Sequence, residues 1–148
     1  MNAVDSFVQF LQSSISPIVL ISGVGLILLS LSNRLGRTTD RSRDIVKELR
    51  DNKNKKSQKR KIVQLNILYR RSKILRFSIV SISFSILTSS LIIPVLLIMQ
   101  LADMDLKIIG IFLFLLSVTG IVISAILLFV DVTLSLKALQ IGVNEYLD

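Results

Sequence analysis

The sequence predicts an all-α integral membrane protein with three transmembrane helices, and three observations support this. The 148-residue chain is 51% hydrophobic and has a mean hydropathy of +0.68, which is more than a small soluble domain uses for its core. Its apolar residues are concentrated in three segments, each long enough to cross a bilayer as a helix. The segment between the first two is strongly charged. We therefore expect long helices that leave the membrane and extend into a cytosolic helical bundle.

The first transmembrane helix is predicted over residues 15–33, after an extracytosolic segment of residues 1–14. This helix contains no charged residue. Pro17 lies in its first turn, where the missing backbone N–H costs least. Because no Lys or Arg precedes the apolar stretch, we expect a retained membrane anchor rather than a cleaved signal peptide.

The second and third transmembrane helices are predicted over residues 77–101 and 106–130. Each has about 25 residues, or roughly 37 Å of helix at about 1.5 Å per residue. The outer turn, residues 102–105, is so short that the two helices are expected to form an antiparallel hairpin. Pro94 lies inside the second helix and is expected to kink it. The backbone carbonyl freed near Ser90 could then accept a hydrogen bond from the hydroxyl of Ser89 or Ser90.

The distribution of charge predicts the orientation of the chain. Of the 18 Lys and Arg residues, 16 lie between Arg34 and Arg76, whereas residues 1–33 contain none. By the positive-inside rule the basic segment is cytosolic. Three spans then place the N-terminus outside the cell membrane and the C-terminal segment, residues 131–148, in the cytosol.

The basic segment, residues 34–76, is predicted to be a helical hairpin against which a helix over residues 131–148 packs. Its turn is expected at residues 51–54, which include no apolar residue. With 16 basic and 4 acidic residues it has a net charge of +12. Such an excess is typical of an orientation signal that also contacts anionic lipid, and it could also dock an acidic protein partner. Nucleic acid is not an expected partner, because the basic run has no interleaved aromatic residues and no base-reading motif.

Small and hydroxyl side chains recur on one face of each span, and they are candidates for lining a pore or for helix packing. Membrane helices associate through such residues because lipid is as apolar as leucine. The candidates are Gly23 and Ser30 in the first span, with Ser16 at the same spacing; Ser78, Ser81, Ser85 and Ser89 in the second; and Ser117, Gly120 and Ser124 in the third. Packing within one chain is one interpretation. The surplus of serines in the second span leaves a partner subunit or a water-lined path open.

Charged residues at the inner ends of the spans form a second candidate site. Asp131 directly follows the apolar core of the third span, and Asn33 and Arg34 lie at the matching level of the first. An ionisable group near membrane depth needs a partner. We therefore expect Asp131 to pair with Arg34 or Arg37, as a structural clasp or as a gate. Arg34, Arg37 and Arg41 share a helix face, which could form a basic ring in a symmetric oligomer.

Acidic residues on the outer side form a third candidate site. Asp5, Asp103 and Asp105 have only Lys107 as a nearby basic residue in the sequence. They are either ordinary polar loop residues or, in a ring of subunits, carboxylates that concentrate cations at an entrance.

An enzymatic activity is not expected. The chain has no cysteine and no histidine, which removes thiol nucleophiles, thiolate metal sites and imidazole acid–base chemistry. No paired Asp residues and no Ser–Lys arrangement converge in the way that an intramembrane hydrolase requires. We predict no cofactor and no bound metal.

Four features follow one another along the chain: Pro17 before an apolar first span, the Asn33-Arg34 exit, the IVKEL segment at residues 45–49 and the LSLKALQ tail at residues 134–140. In this order they resemble the bacterial three-span membrane family catalogued as domain of unknown function 2721. The resemblance implies a three-span protein of a bacterial inner membrane, and it supplies no catalytic residues.

Two functions remain open at this point. One is a homo-oligomeric, cation-favouring ion channel with serine-lined second spans, acidic outer residues and a basic inner vestibule. The other is a non-conducting accessory or scaffold protein whose basic cytosolic bundle docks a protein partner or anionic lipid.

Overall fold

The computed structural model consists of three long α-helices: α1 (Ala3–Asp51), α2 (Lys55–Ala102) and α3 (Lys107–Leu147). The structure describes the backbone of residues 3–51, 55–102 and 105–147, and the side chains of residues 7–50, 58–102 and 105–136. These backbone ranges contain no strand. Each helix includes a stretch that is long and apolar enough to cross a membrane. The predicted all-α fold with three membrane-spanning helices is confirmed.

The three helices are about twice as long as a bilayer requires. They contain 49, 48 and 41 residues, or roughly 60–75 Å of helix, against a hydrocarbon core of about 30 Å. Each helix therefore has room for a span and for a further extension. Parts of two predicted features lie outside the described residues: the turn at residues 52–54 and the outer residue Asp103. Asp5 belongs to α1, but its side chain is also outside the described set.

Proline does not end either of the helices that contain it. Pro17 lies well inside α1, which begins at Ala3, so the expectation that it occupies the first turn of its helix is wrong. Helix α2 continues through Pro94 to Ala102. The hydroxyl of Ser89, expected from the sequence to serve the carbonyl freed near Pro94, hydrogen-bonds the hydroxyl of Ser117 in α3 instead.

The chain divides into two compact units, and every helix contributes to both. Unit 1 comprises Met1–Leu29 and Val80–Ile123, and unit 2 comprises Ser30–Ile79 and Ser124–Asp148. Unit 1 is largely apolar, whereas the basic segment Arg34 to Arg76 lies wholly in unit 2.

Within unit 2, the buried positions of α1 and α3 recur at steps of seven residues. Leu31, Thr38 and Ile45 are buried on α1, and Ser124 and Asp131 are buried on α3. A seven-residue repeat keeps one seam of a helix against its neighbours, as in left-handed coiled coils. The seam therefore brings one face of α1 and one face of α3 to the interior of this unit.

Within unit 1, the interior is as much polar as apolar. Val24 of α1 is buried, and α2 buries positions at alternating steps of three and four residues: Ile82, Ser85, Ser89 and Ile92. Many large hydrophobic side chains face outward, among them Leu26, Leu87 and Phe112. This arrangement is typical of a membrane protein, in which lipid accepts the apolar residues and the polar ones pack together.

Candidate functional site

Asp131 is the central residue of the candidate site in unit 2. It follows the apolar part of α3, and its side chain is 0% exposed. Its Oδ1 accepts a hydrogen bond from Nε of Arg71 in α2 at 3.0 Å. Its Oδ2 lies 3.3 Å from Nη2 of Arg34 in α1. One carboxylate therefore joins all three helices.

The two arginines do not contact Asp131 in equivalent ways. Arg71 makes a charge-assisted hydrogen bond, and its side chain is 16% exposed. Arg34 is 26% exposed and makes an ion pair without hydrogen-bond geometry, so Oδ2 has no hydrogen bond of its own. Charge-assisted hydrogen bonds are the stronger kind, which makes Arg71 the main partner.

The structure brings together some of the residues that the sequence singled out, and adds one. Arg34 reaches Asp131. Asn33 and Arg37 are exposed, and Arg37 makes no ion pair with Asp131 among the described contacts. Arg71 was not predicted from the sequence. One pattern in the sequence could have indicated it. Arg71 lies seven residues before Ser78, and Asp131 lies seven residues after Ser124.

Unit 2 also contains a pair of serines, one in α2 and one in α3, that hydrogen-bond each other reciprocally. The hydroxyl of Ser78 donates to the backbone carbonyl of Ser124 at 2.8 Å, and the hydroxyl of Ser124 donates to the carbonyl of Ser78 at 3.0 Å. The two hydroxyl oxygens are 2.9 Å apart. Both residues are fully buried.

Unit 1 contains a second reciprocal pair of the same kind. Ser85 donates to the carbonyl of Ser117 at 2.7 Å, and Ser117 donates to the carbonyl of Ser85 at 3.1 Å. Ser89 hydrogen-bonds the hydroxyl of Ser117, and Ser81 donates to the carbonyl of Gly120 at 2.9 Å. In apolar surroundings such interhelical hydrogen bonds contribute about 0.6–2 kcal/mol each. The predicted serines of α2 and α3 thus bond to each other within one chain.

Gly120 allows α2 and α3 to approach closely in unit 1. A Cβ atom added there would lie 3.1 Å from the backbone oxygen of Ser81 and 3.1 Å from Cβ of Ser85. Both distances are shorter than ordinary van der Waals contacts, and a helical carbonyl cannot move aside easily. A side chain at this position would therefore push the two helices apart.

The small residues of the first span are placed differently. Ser16, Gly23 and Ser30 are exposed. A Cβ added at Gly23 would meet nothing within 4 Å. These candidates therefore do not serve packing among the described residues of the chain.

Of the outer acidic candidates, the structure describes the side chain of Asp105. Its Oδ2 lies 3.6 Å from Nζ of Lys107, and its Oδ1 accepts a weak hydrogen bond from the backbone N–H of Lys107 at 3.4 Å. Lys107 is the first residue of α3, so the carboxylate is placed where the helix dipole favours negative charge.

Another ion pair of unit 2 joins α1 to α2. Nζ of Lys61 lies 3.0 Å from Oε2 of Glu48. The hydrogen bond from Lys61, together with its positive charge, holds the pKa of Glu48 below its usual value. The pair is partly exposed, and exposed ion pairs of this kind stabilise little.

The described side chains of unit 2 line open cavities, of which two contain basic residues. One, of about 400 Å³, is lined by the side chains of Arg34, Arg37, Arg41 and Arg71, among others. The other, of about 1010 Å³, is lined mainly by apolar residues of α2, including Ile62, Val63 and Phe77, together with Lys73 and Arg76.

No group of three or more acidic residues able to hold a metal ion occurs among the described side chains.

Three long apolar helices joined by buried polar contacts define a three-span membrane protein. The family model described as "Protein of unknown function (DUF2721)" matches residues 14–141, so the chain belongs to this family. The resemblance seen in the sequence is thereby confirmed. No curated protein and no solved structure matches the chain.

The contacts of Asp131 predict an order of stability among variants. Arg71→Ala is expected to lower the free energy of unfolding by on the order of 3–5 kcal/mol, because it leaves a buried carboxylate without its hydrogen bond. Arg34→Ala should cost less, because Arg34 is more exposed and makes only the ion pair. Unfolding in detergent titrated with dodecyl sulfate and followed by circular dichroism measures both.

A suitable control for these variants is Lys107→Ala, which breaks an ion pair whose members are both exposed. Its expected cost is at most about 1 kcal/mol. Equal losses for Arg71→Ala and Lys107→Ala would show that the buried contact adds nothing.

The close approach at Gly120 predicts opposite effects for the same substitution at two glycines. Gly120→Ala should destabilise the protein, because its Cβ meets a backbone carbonyl. Gly110→Ala should stabilise it by about 0.5–1 kcal/mol, because a Cβ at Gly110 meets nothing within 4 Å and alanine is the better helix former. The same unfolding titration compares the two, and a shift of the same sign for both would contradict the packing described here.

Proposed function

We propose that the chain is a non-enzymatic membrane protein that assembles with copies of itself into an ion-conducting channel. The observation that carries the proposal is a polar face that α1 leaves exposed in unit 1. Gln9, Gln12, Ser16 and Gly23 lie at steps of three, four and seven residues and are all exposed. Such spacing places them on one side of the helix.

Ser16 and Gly23 lie within the predicted span, residues 15–33, whereas Gln9 and Gln12 lie in the segment predicted to precede it on the outer side. Within the span, a polar side chain that faces outward needs another polar group or water beside it. Lipid offers no hydrogen-bond partner, so polar groups facing it cost free energy. Another protein helix or a column of water removes that cost. The open space around Gly23 allows a second helix to approach closely, which is how small residues promote helix association in membranes.

The hydrogen bonds of the second span favour α1 over α2 as the lining. The hydroxyls of Ser78, Ser85 and Ser89 are buried and bonded to α3. These hydroxyl groups are satisfied by hydrogen bonds within the protein and need no water. In the proposed channel these serines hold α2 to α3, and the exposed face of α1 borders the ion path.

The proposed channel lies in the inner membrane of a bacterium, with the basic segment in the cytosol and the N-terminus outside. The 16 basic residues between Arg34 and Arg76 support this orientation through the positive-inside rule. Asp5, Asp103 and Asp105 then lie on the outer side, where a ring of carboxylates would raise the local concentration of cations. This supports a preference for cations.

Conductance of the purified protein in planar bilayers tests the proposal directly. The chain has no cysteine, so Gly23→Cys introduces the only thiol. If α1 lines the path, a charged, membrane-impermeant thiol reagent should block most of the current of Gly23→Cys. Gly25→Cys is a matched control, because both glycines have open space around them and two residues of helix turn the side chain by about 200°.

The outcomes of this experiment separate the parts of the proposal. Current that is blocked in Gly23→Cys and unchanged in Gly25→Cys supports α1 as the lining of the ion path. Disulfide cross-linking between copies at Gly23→Cys without any block would place this face at a subunit contact and overturn it as the lining. The absence of current under every voltage, pH and calcium condition would refute the channel.

A second function is favoured by the apolar cavity of unit 2. Its lining residues Ile62, Val63, Tyr69 and Phe77 are exposed, and Lys73 and Arg76 lie beside them. A non-conducting scaffold could use this surface to dock an acidic amphipathic protein segment. Under this alternative, gentle extraction co-purifies a second polypeptide that Tyr69→Asp releases, and the purified chain conducts no current.

A further inference from the structure

We infer that the cavity lined by four arginines in unit 2 is a binding site for a phosphomonoester group. Arg34, Arg37 and Arg41 of α1 and Arg71 of α2 line one side-chain cavity of about 400 Å³, together with Thr38 and Ser135. This volume falls within the range of roughly 300–1,000 Å³ that is common for small-molecule sites.

The lining has more positive charge than the protein neutralises. Among the described side chains, Asp131 is the one carboxylate that contacts these arginines, and it pairs with Arg34 and Arg71. Arg37 and Arg41 are exposed, and neither makes an ion pair with a described carboxylate, although Glu48 attracts Arg41 at longer range. Among the described lining residues, four guanidinium groups therefore share one contacting carboxylate, a surplus of three positive charges.

Asp131 positions two of these guanidinium groups. The hydrogen bond at 3.0 Å and the ion pair at 3.3 Å restrain Arg71 and Arg34, respectively. A restrained arginine loses less conformational entropy when it binds an anion. The cavity is therefore lined by two restrained, half-buried arginines and by two exposed arginines that make no ion pair with a described carboxylate.

The chemistry of the donors selects the ligand class. A guanidinium group is a planar fork of N–H donors that binds phosphate oxygens in pairs. A phosphomonoester has about −1.5 to −2 charges at neutral pH and three strong acceptor oxygens, whereas a phosphodiester has a single negative charge. The surplus of three charges therefore favours the monoester.

Either a membrane lipid or a soluble molecule can carry the phosphomonoester group, and the binding measurements described next distinguish the two. A lipid with a phosphomonoester headgroup would reach the cavity from the bilayer. A soluble phosphate would reach it from water. The probes are phosphatidic acid in phosphatidylcholine nanodiscs, with phosphatidylglycerol as the diester comparison, and glycerol 3-phosphate, a soluble phosphomonoester, in the aqueous phase.

The test compares two double variants that remove the same charge from the same helix. Arg37→Gln with Arg41→Gln removes the two unpaired arginines of the cavity. Arg43→Gln with Lys47→Gln removes two basic residues of α1 that do not line it. All four side chains are exposed, so folding should survive, and circular dichroism with size-exclusion chromatography verifies this.

We expect one of the two probes to bind the full-length protein, and we expect the cavity variant to weaken that binding about tenfold or more, through loss of charge-assisted hydrogen bonds. The matched variant should weaken it by less than about threefold, as expected for screened, distant charges. If the ligand is a lipid, phosphatidic acid should bind more tightly than phosphatidylglycerol by a similar tenfold factor.

Three results would overturn the inference. The first is that neither phosphatidic acid nor glycerol 3-phosphate binds. The second is an equal loss in both double variants, which would reduce the site to general attraction by a basic surface. The third is equal affinity for phosphatidic acid and phosphatidylglycerol in a protein that does not bind glycerol 3-phosphate. None of these readouts depends on ion conduction, so this inference and the channel proposal can fail separately.

Discussion

A polar group buried between apolar helices must find its partner inside the protein, because lipid offers none. In unit 2, Asp131 meets this constraint with Arg71 and Arg34, and Ser78 meets it with Ser124. In unit 1 the same requirement joins Ser85 to Ser117. The contacts of Asp131 with Arg71, of Ser78 with Ser124 and of Ser85 with Ser117 form together at only one axial alignment of α2 and α3. The buried polar groups therefore specify the pairing of the helices, which apolar contacts alone would leave loosely defined.

The same constraint separates the polar residues of the chain into two groups. Those with partners inside the chain hold the helices together. Among the described residues without such partners are the exposed polar face of α1 in unit 1, the buried hydroxyl of Ser14, and Arg37 and Arg41 of the cavity in unit 2. The exposed members of this second group are accessible to other molecules, and we expect binding there. The proposed ion path and the proposed phosphate site both follow from this division.

The sequence predicted the elements of the fold better than it predicted their contacts. Hydropathy is sufficient to identify three spans, and regular spacing identified the small and hydroxyl residues. Which residues pair depends on the rotation and axial position of each helix, which periodicity does not determine. Ser16, Gly23 and Ser30 had the spacing of a packing face, yet the buried residues of α1 are Ser14 together with Val24, Leu31 and their seven-residue neighbours. Arg71 was one of 16 basic residues in a single segment, and its offset from Ser78 becomes informative only once the pairing of Ser78 with Ser124 is known.

The alignment of α2 and α3 can be measured directly by disulfide cross-linking in native membranes. The hydroxyl oxygens of Ser78 and Ser124 are 2.9 Å apart, so cysteines at both positions would have their sulfur atoms within bonding reach. Because the chain has no cysteine of its own, Ser78→Cys with Ser124→Cys introduces a single possible intramolecular disulfide. We expect this pair to form the disulfide under mild oxidation, whereas Ser78→Cys with Val122→Cys remains reduced. A disulfide in the second pair and none in the first would contradict the alignment on which the buried polar contacts depend.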